Sequence, residues 1–162
     1  MELKGKAFKF GDNISTDHIA PGRLFHLRSN LPELAKHVLE DADPTFASKM
    51  SKGDFVVAGN NFGLGSSREH APQIIKISGT GAVLAKSFAR IFYRNAINIG
   101  LPIIECKEAS QGIEANDEVE VDFDSGIIYN KTKGTQFKGQ PFPEFMQKII
   151  AAEGLVNYIN NK

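Results

Sequence analysis

The chain has 162 residues, 41% of them hydrophobic and 23% charged, which is enough to enclose a core and is ordinary for a globular protein. Nineteen basic residues balance nineteen acidic ones, so there is no cationic footprint for nucleic acid or for an anionic membrane surface. The single cysteine, Cys106, excludes an internal disulfide and any multi-cysteine zinc or iron–sulfur site within this chain. No apolar run approaches a membrane span, and Met1-Glu2-Leu3-Lys4-Gly5-Lys6 does not resemble a signal peptide. The expectation is a soluble, cytoplasmic protein with neither nucleic acid nor membrane as partner.

Residues 5–10 alternate and end at Gly11-Asp12-Asn13, which predicts a strand and a turn. Residues 14–22 are rich in short polar side chains and include Asp17 and His18. These two suit either a site or a hydrogen-bonded turn. Residues 23–30 predict a loop that mixes Leu24, Phe25 and Leu27 with Arg23 and Arg28. Such a loop fits a ligand that is partly anionic and partly apolar, or a surface loop with solvated arginines. Helices are predicted over 31–39, where Pro32 stands early, and from Asp43-Pro44 to Met50.

Asp54-Phe55-Val56-Val57-Ala58-Gly59 predicts a buried strand. The stretch Asn61-Phe62-Gly63-Leu64-Gly65-Ser66-Ser67-Arg68-Glu69-His70 follows, and residues 71–77 have helical spacing. Gly63 and Gly65 permit a tight bend. Ser66 or Ser67 suits a helix cap, and Ser66 with Glu69 has the spacing of a capping box. A helix N-terminus attracts anions, and Arg68 adds a planar fork that fits a carboxylate. The pattern describes an anion pocket containing a serine hydroxyl, or a capped turn without a ligand.

Further on, 82–86 predicts a strand, 87–99 a helix and 101–105 a strand that ends beside Cys106, read as a buried inert thiol. This alternation implies parallel strands with right-handed crossovers. Arg90 and Arg94, four apart, share a helix face. Residues 118–130 predict a hairpin, 135–139 a further strand, and 143–152 a helix with Phe145, Met146, Ile149 and Ile150 inward, followed by a last turn. The chain thus reads as one α/β domain over residues 1–162, partly parallel, with a β-rich C-terminal portion.

Three stretches, in order, resemble the aconitase superfamily: Ser15-Thr16-Asp17-His18-Ile19, residues 61–70 quoted above, and Lys86-Ser87-Phe88-Ala89-Arg90-Ile91-Phe92-Tyr93-Arg94-Asn95. Leu64 departs from the cysteine that many relatives carry. The length resembles a free-standing small subunit of that family. The resemblance implies a swivelling β/β/α domain and a separate large subunit that holds a four-iron four-sulfur cluster, with no metal bound by this chain. It implies a hydro-lyase that removes water from a hydroxy di- or tricarboxylate and returns it at the neighbouring carbon, with iron as Lewis acid. Carried over residue by residue, Ser66 matches the catalytic base. Ser67 and Arg68 match substrate-binding positions, and Asp17 and His18 match a loop lining the site.

In that family the segment 23–30 contacts the group that distinguishes substrates. Leu24, Phe25 and Leu27 favour an alkyl group and Arg28 an extra carboxylate. The expectation is 3-isopropylmalate, with homoaconitate or 2,3-dimethylmalate as alternatives. A non-catalytic anion-binding module is the alternative of another class.

Overall fold

The computed structural model describes residues 2–66, 68–140 and 144–160, without the side chains of Phe145 and Tyr158. Phe55–Ala58 (β2) and Ala82–Ala85 (β3) are buried at every position, and Ile103–Glu105 (β4) buries its two isoleucines. A strand covered on both faces reads as an unbroken apolar run, as these do. β2 pairs with β3, and β3 with β4, in parallel. Helices His70–Ile77 (α4) and Arg90–Asn98 (α5) make the two crossovers.

Glu2–Lys9 (β1) joins this group to a second one. Its residues 7–9 pair in parallel with β2, and its residues 2–6 pair antiparallel with Glu118–Asp122 (β5). Ile127–Asn130 (β6) and Thr135–Lys138 (β7) follow, giving the order β4-β3-β2-β1-β5-β6-β7. β5 alternates buried Val119 and Val121 with the outward-facing Glu118 and Glu120, the pattern of a sheet with one wet face.

The short helix Lys107–Gly112 (α6) packs against both β3 and β7, which lie far apart in the strand order, so the sheet curls around it. Lys9 closes the end of α6 by donating from Nζ to the carbonyls of Ser110 and Ile113, the latter at 2.7 Å. α6 carries no hydrophobic period that would announce it, because only Ala109 among its residues is an apolar anchor.

The remaining helices are Thr16–Ile19 (α1), Leu31–Ala35 (α2), Phe46–Lys49 (α3), Glu144–Ala151 (α7) and Leu155–Asn160 (α8). α2 packs on α4, α4 on α5, and α5 on α7 and α8. Ile149 and Ile150 are buried as their spacing predicts.

Three local expectations are corrected. The helix predicted over 31–39 stops at Ala35 and continues as turns to Leu39, whose φ is 57°. The loop predicted over 23–30 is a run of 3-10 turns, Gly22–Ser29, kinked at Leu24. The helix predicted from residue 87 starts at Arg90, because Phe88 is held in a parallel bridge to Phe62.

Candidate active site

Three loops leave the C-terminal ends of β1, β2 and β3, where parallel sheets place their ligands. Backbone hydrogen bonds join these loops. Gly63 N–H donates to the Ile14 carbonyl at 2.7 Å and Thr16 N–H to the Leu64 carbonyl at 2.9 Å. On the other side Phe62 N–H donates to the Ser87 carbonyl at 3.1 Å and Ala89 N–H to the Phe62 carbonyl at 3.0 Å.

Beneath the loops Phe62, Phe88 and Phe92 pack ring on ring, with Phe62 fully buried and 5.3 Å from Phe92 between centroids. Such aromatic pairs add about 1 kcal/mol each beyond their buried area. At Gly63, φ is +86° and a Cβ would stand 2.2 Å from the Phe92 ring, so no larger residue fits that bend.

Ser66 ends up exposed at this junction. Its carbonyl accepts from the buried Thr16 Oγ1 at 2.9 Å, which fixes the backbone behind it. Arg68 Nε donates to Ser66 Oγ at 3.3 Å. A guanidinium N–H aimed at a hydroxyl oxygen favours the ionised form of that oxygen. Arg68 is itself held by Asp17: Nη1 donates to Asp17 Oδ1 at 3.0 Å and to the Ala20 carbonyl at 2.7 Å. Asp17 Oδ1 also accepts from Gly22 N–H at 2.9 Å and so ties the start of the 3-10 segment to the site.

The predicted capping role is corrected. α4 begins at His70, with Glu69 at its N-cap position and no side-chain cap bond, so neither Ser66 nor a Ser66–Glu69 box caps it. The helix that opens onto Ser66 is α5. A cleft of about 210 Å³ is lined by Thr16, Ser66, Arg68, Ala89, Arg90 and Phe92, among others. The α5 N-cap is Ala89, which offers no side-chain acceptor, so the first N–H groups of α5, whose residues line the cleft, have no side-chain cap. Sequence reasoning left Arg90 paired with Arg94. The structure puts Arg90 on the cleft, while Arg94 is exposed and does not line it. The signal that would have found Arg90 is its place just after the end of a parallel strand. A larger open groove, about 600 Å³, lies over β1 and β5, and Lys4 and Lys131 there both pair with Glu120.

The other expected residues are placed as follows. His18 packs its ring on Ser15: Nδ1 accepts from Ser15 N–H at 2.9 Å and lies 2.9 Å from Ser15 Oγ, forming the capping box of α1. It braces the loop and does not line the cleft with Ser66. Arg28 lies over the Phe25 ring at 4.0 Å and donates to the Phe25 carbonyl, and Phe25 in turn packs edge-on to His70 at 6.3 Å. Burial, with help from Arg68 and Arg28, holds the His70 imidazole below its usual pKa. Arg23 is drawn away to Glu40 and Asp41. Ser67 lies outside the described residues.

The aconitase C-terminal domain family matches residues 12–109, more than half of the chain, and those residues carry all three loops. The chain belongs to the aconitase family.

Within the family it is 60% identical to a 3-isopropylmalate dehydratase small subunit of Archaeoglobus fulgidus, over 98% of this chain and 95% of that one. It is 63% identical to the 2,3-dimethylmalate dehydratase small subunit of Eubacterium barkeri, over 99% and 98%. The crystal structure of a 3-isopropylmalate dehydratase chain from Methanocaldococcus jannaschii superposes with a TM-score of 0.93 at 45% identity, covering 99% of this chain and 95% of that one. The observed sheet is therefore the aconitase-family small-subunit fold.

Aconitase-family membership raises the question of an iron–sulfur cluster. Cys106 is buried, with Sγ against the Lys138 carbonyl and the Glu108 carboxylate, and burial pushes its thiol pKa up. A protonated, enclosed thiol is a poor metal ligand. Among the described residues no three His, Cys, Asp or Glu side chains stand together to hold a metal. The donor set for a cluster does not come from these residues. Nor is any helix among them long and apolar enough to cross a membrane.

Proposed function

We propose that this chain is the small subunit of a two-subunit hydro-lyase that isomerises 3-isopropylmalate by dehydration and rehydration, as in leucine biosynthesis. The observation that carries the reading is Ser66 Oγ at a cleft mouth with a guanidinium N–H directed at it, in a chain about 60% identical to named dehydratase small subunits. Ser66 as alkoxide takes the proton from the substrate carbon next to the one that bears the hydroxyl. The C–O bond then breaks and hydroxide departs. Rehydration places the proton from Ser66 on the carbon that lost the hydroxyl and a hydroxyl on the carbon that lost the proton. Arg68 steadies the alkoxide through Nε and offers Nη2, which has no partner among the described residues, to a substrate carboxylate. Asp17 holds Arg68 in that pose, His18 holds the loop that carries Asp17, and the Ser67 hydroxyl hydrogen-bonds the substrate. Lewis-acid activation of the leaving hydroxyl is the chemistry that a four-iron four-sulfur cluster of the large subunit supplies.

Substrate choice rests with the 3-10 segment, where Leu24, Phe25 and Leu27 suit an alkyl group and Arg28 a carboxylate. The likeness to the Eubacterium barkeri subunit favours 2,3-dimethylmalate as the second reading. The test is anaerobic reconstitution with the cluster-loaded large subunit, followed by 3-isopropylmalate, 2,3-dimethylmalate and homocitrate. The expected result is no turnover by this chain alone and fastest turnover of 3-isopropylmalate by the pair. Fastest turnover of 2,3-dimethylmalate moves the assignment to the second reading, and no turnover of any substrate refutes both.

A further inference from the structure

Ser66 shares its cleft with two arginines in different conditions. Arg68 is committed, with Nη1 divided between Asp17 and the Ala20 carbonyl and Nε on Ser66. Arg90, the first residue of α5, is exposed, and its guanidinium has no hydrogen bond or ion pair among the described residues. A lone surface arginine is unremarkable by itself. This one lines a cleft into which none of the described residues projects a carboxylate, and the cleft's other charge is a second guanidinium. Like charges around one small cleft repel, and an anion bound between them relieves that repulsion. One carboxylate can take the unpartnered Arg90 fork while another meets the remaining Nη2 of Arg68, so the two guanidinium groups call for a dianion.

We propose that Arg90 is a substrate-binding residue that takes the second carboxylate of a hydroxy-dicarboxylate whose first carboxylate lies on Arg68. Ser66 then faces the carbon chain between the two anchors. The uncapped N–H groups of α5 lie beside Arg90 and add to the same potential. This inference rests on the dicarboxylate reading above and assigns the residue that enforces it. It also separates Arg90 from Arg94, which helical spacing alone made equivalent.

The test uses the reconstituted two-subunit enzyme with Arg90→Gln and Arg90→Lys. Losing one charge-assisted contact raises the KM of Arg90→Gln by roughly 30–100-fold, with kcat within about threefold of wild type. Arg90→Lys recovers part of that loss. The melting temperature stays unchanged, since the guanidinium holds nothing inside the fold. Wild type discriminates against both monomethyl esters of the substrate, whereas Arg90→Gln becomes indifferent to one of them. A KM within about twofold of wild type, or unchanged discrimination against both esters, overturns the proposal.

If the wild-type pair turns over no hydroxy-dicarboxylate, the functional reading fails separately, and malonate titrated into the free chain decides the arginine. Saturable amide shifts at Gly65 and Ile91 that disappear in Arg90→Gln support the assignment. No shift in wild type, or equal shifts in both, overturns it.

Discussion

The two halves of the sheet solve different problems. In β2 and β3 every side chain is buried, so these strands have no free face and the chemistry moves to the loops at their ends. In β5 and β6 buried and outward positions alternate, and charged residues such as Glu118 and Glu120 occupy the open face. The first half positions reactive groups at a rim. The second half is a brace that β1 and α6 bind to the first. A residue's distance from the cleft is therefore a weaker guide to its role than the half it serves.

A pair of alanine substitutions tests this division most directly. Ser66→Ala removes the proposed base and lowers kcat by roughly 10²–10⁴-fold, with no change in melting or subunit assembly. Ser110→Ala removes a buried hydroxyl that donates to the Ala58 carbonyl and costs about 1 kcal/mol of stability with turnover retained. Turnover by Ser66→Ala at the wild-type rate breaks the comparison at its centre.

A second pair concerns glycines. Gly63→Ala drives a Cβ into the Phe92 ring at positive φ and costs about 3 kcal/mol, read by denaturant unfolding. Gly134, in the turn between β6 and β7, also has positive φ but nothing within 4 Å of a Cβ. Gly134→Ala therefore costs only about 1–2 kcal/mol. Equal losses would show that backbone strain alone, without packing against α5, governs the bend at Gly63.

The remaining test lies in the brace. Asp117 is buried, which pulls its pKa up. The Glu114 N–H and Asn130 Nδ2, each at 2.8 Å, with the Lys133 and Lys9 charges, outweigh burial and hold it below the ordinary aspartate value of 3.8. A carboxyl lowered in the folded state contributes stability above 3.8 that is lost as pH falls through that value and then through the lower folded one. Asn130→Ala costs about 1–3 kcal/mol at neutral pH. The gap between wild type and variant narrows as pH drops below 3.8, measured by urea unfolding across pH. A gap constant with pH removes Asp117 from the account.

The inner strands were legible because burial on both faces leaves nothing but apolar residues at 55–58, 82–85 and 103–104. The hairpin at 118–130 was legible through its alternation. What the sequence concealed was set by long-range contacts. The Ser66–Glu69 spacing mimics a cap, yet Leu64 is bridged to Ser15 and Thr16 grips Ser66, and α4 begins only at His70. Arg90 and Arg94 look alike on a helical wheel, and only the loop from β2 makes one of them part of the cleft. Ser66 and Arg68 were legible as a pair, but the roles of Asp17 as a clamp on Arg68 and of Thr16 as a tether for Ser66 depend on residues about fifty positions away.

β1 has a neighbour on each side, one from the middle of the chain and one from residues 118–122. The segment that carries the family match, 12–109, includes neither β1 nor β5. Cut out alone, it would present the bare rim of β2 to solvent, a template for sticking to other molecules. The stretch easiest to identify is thus not a self-sufficient piece, and any excised version intended for ligand work should retain both ends of the polypeptide.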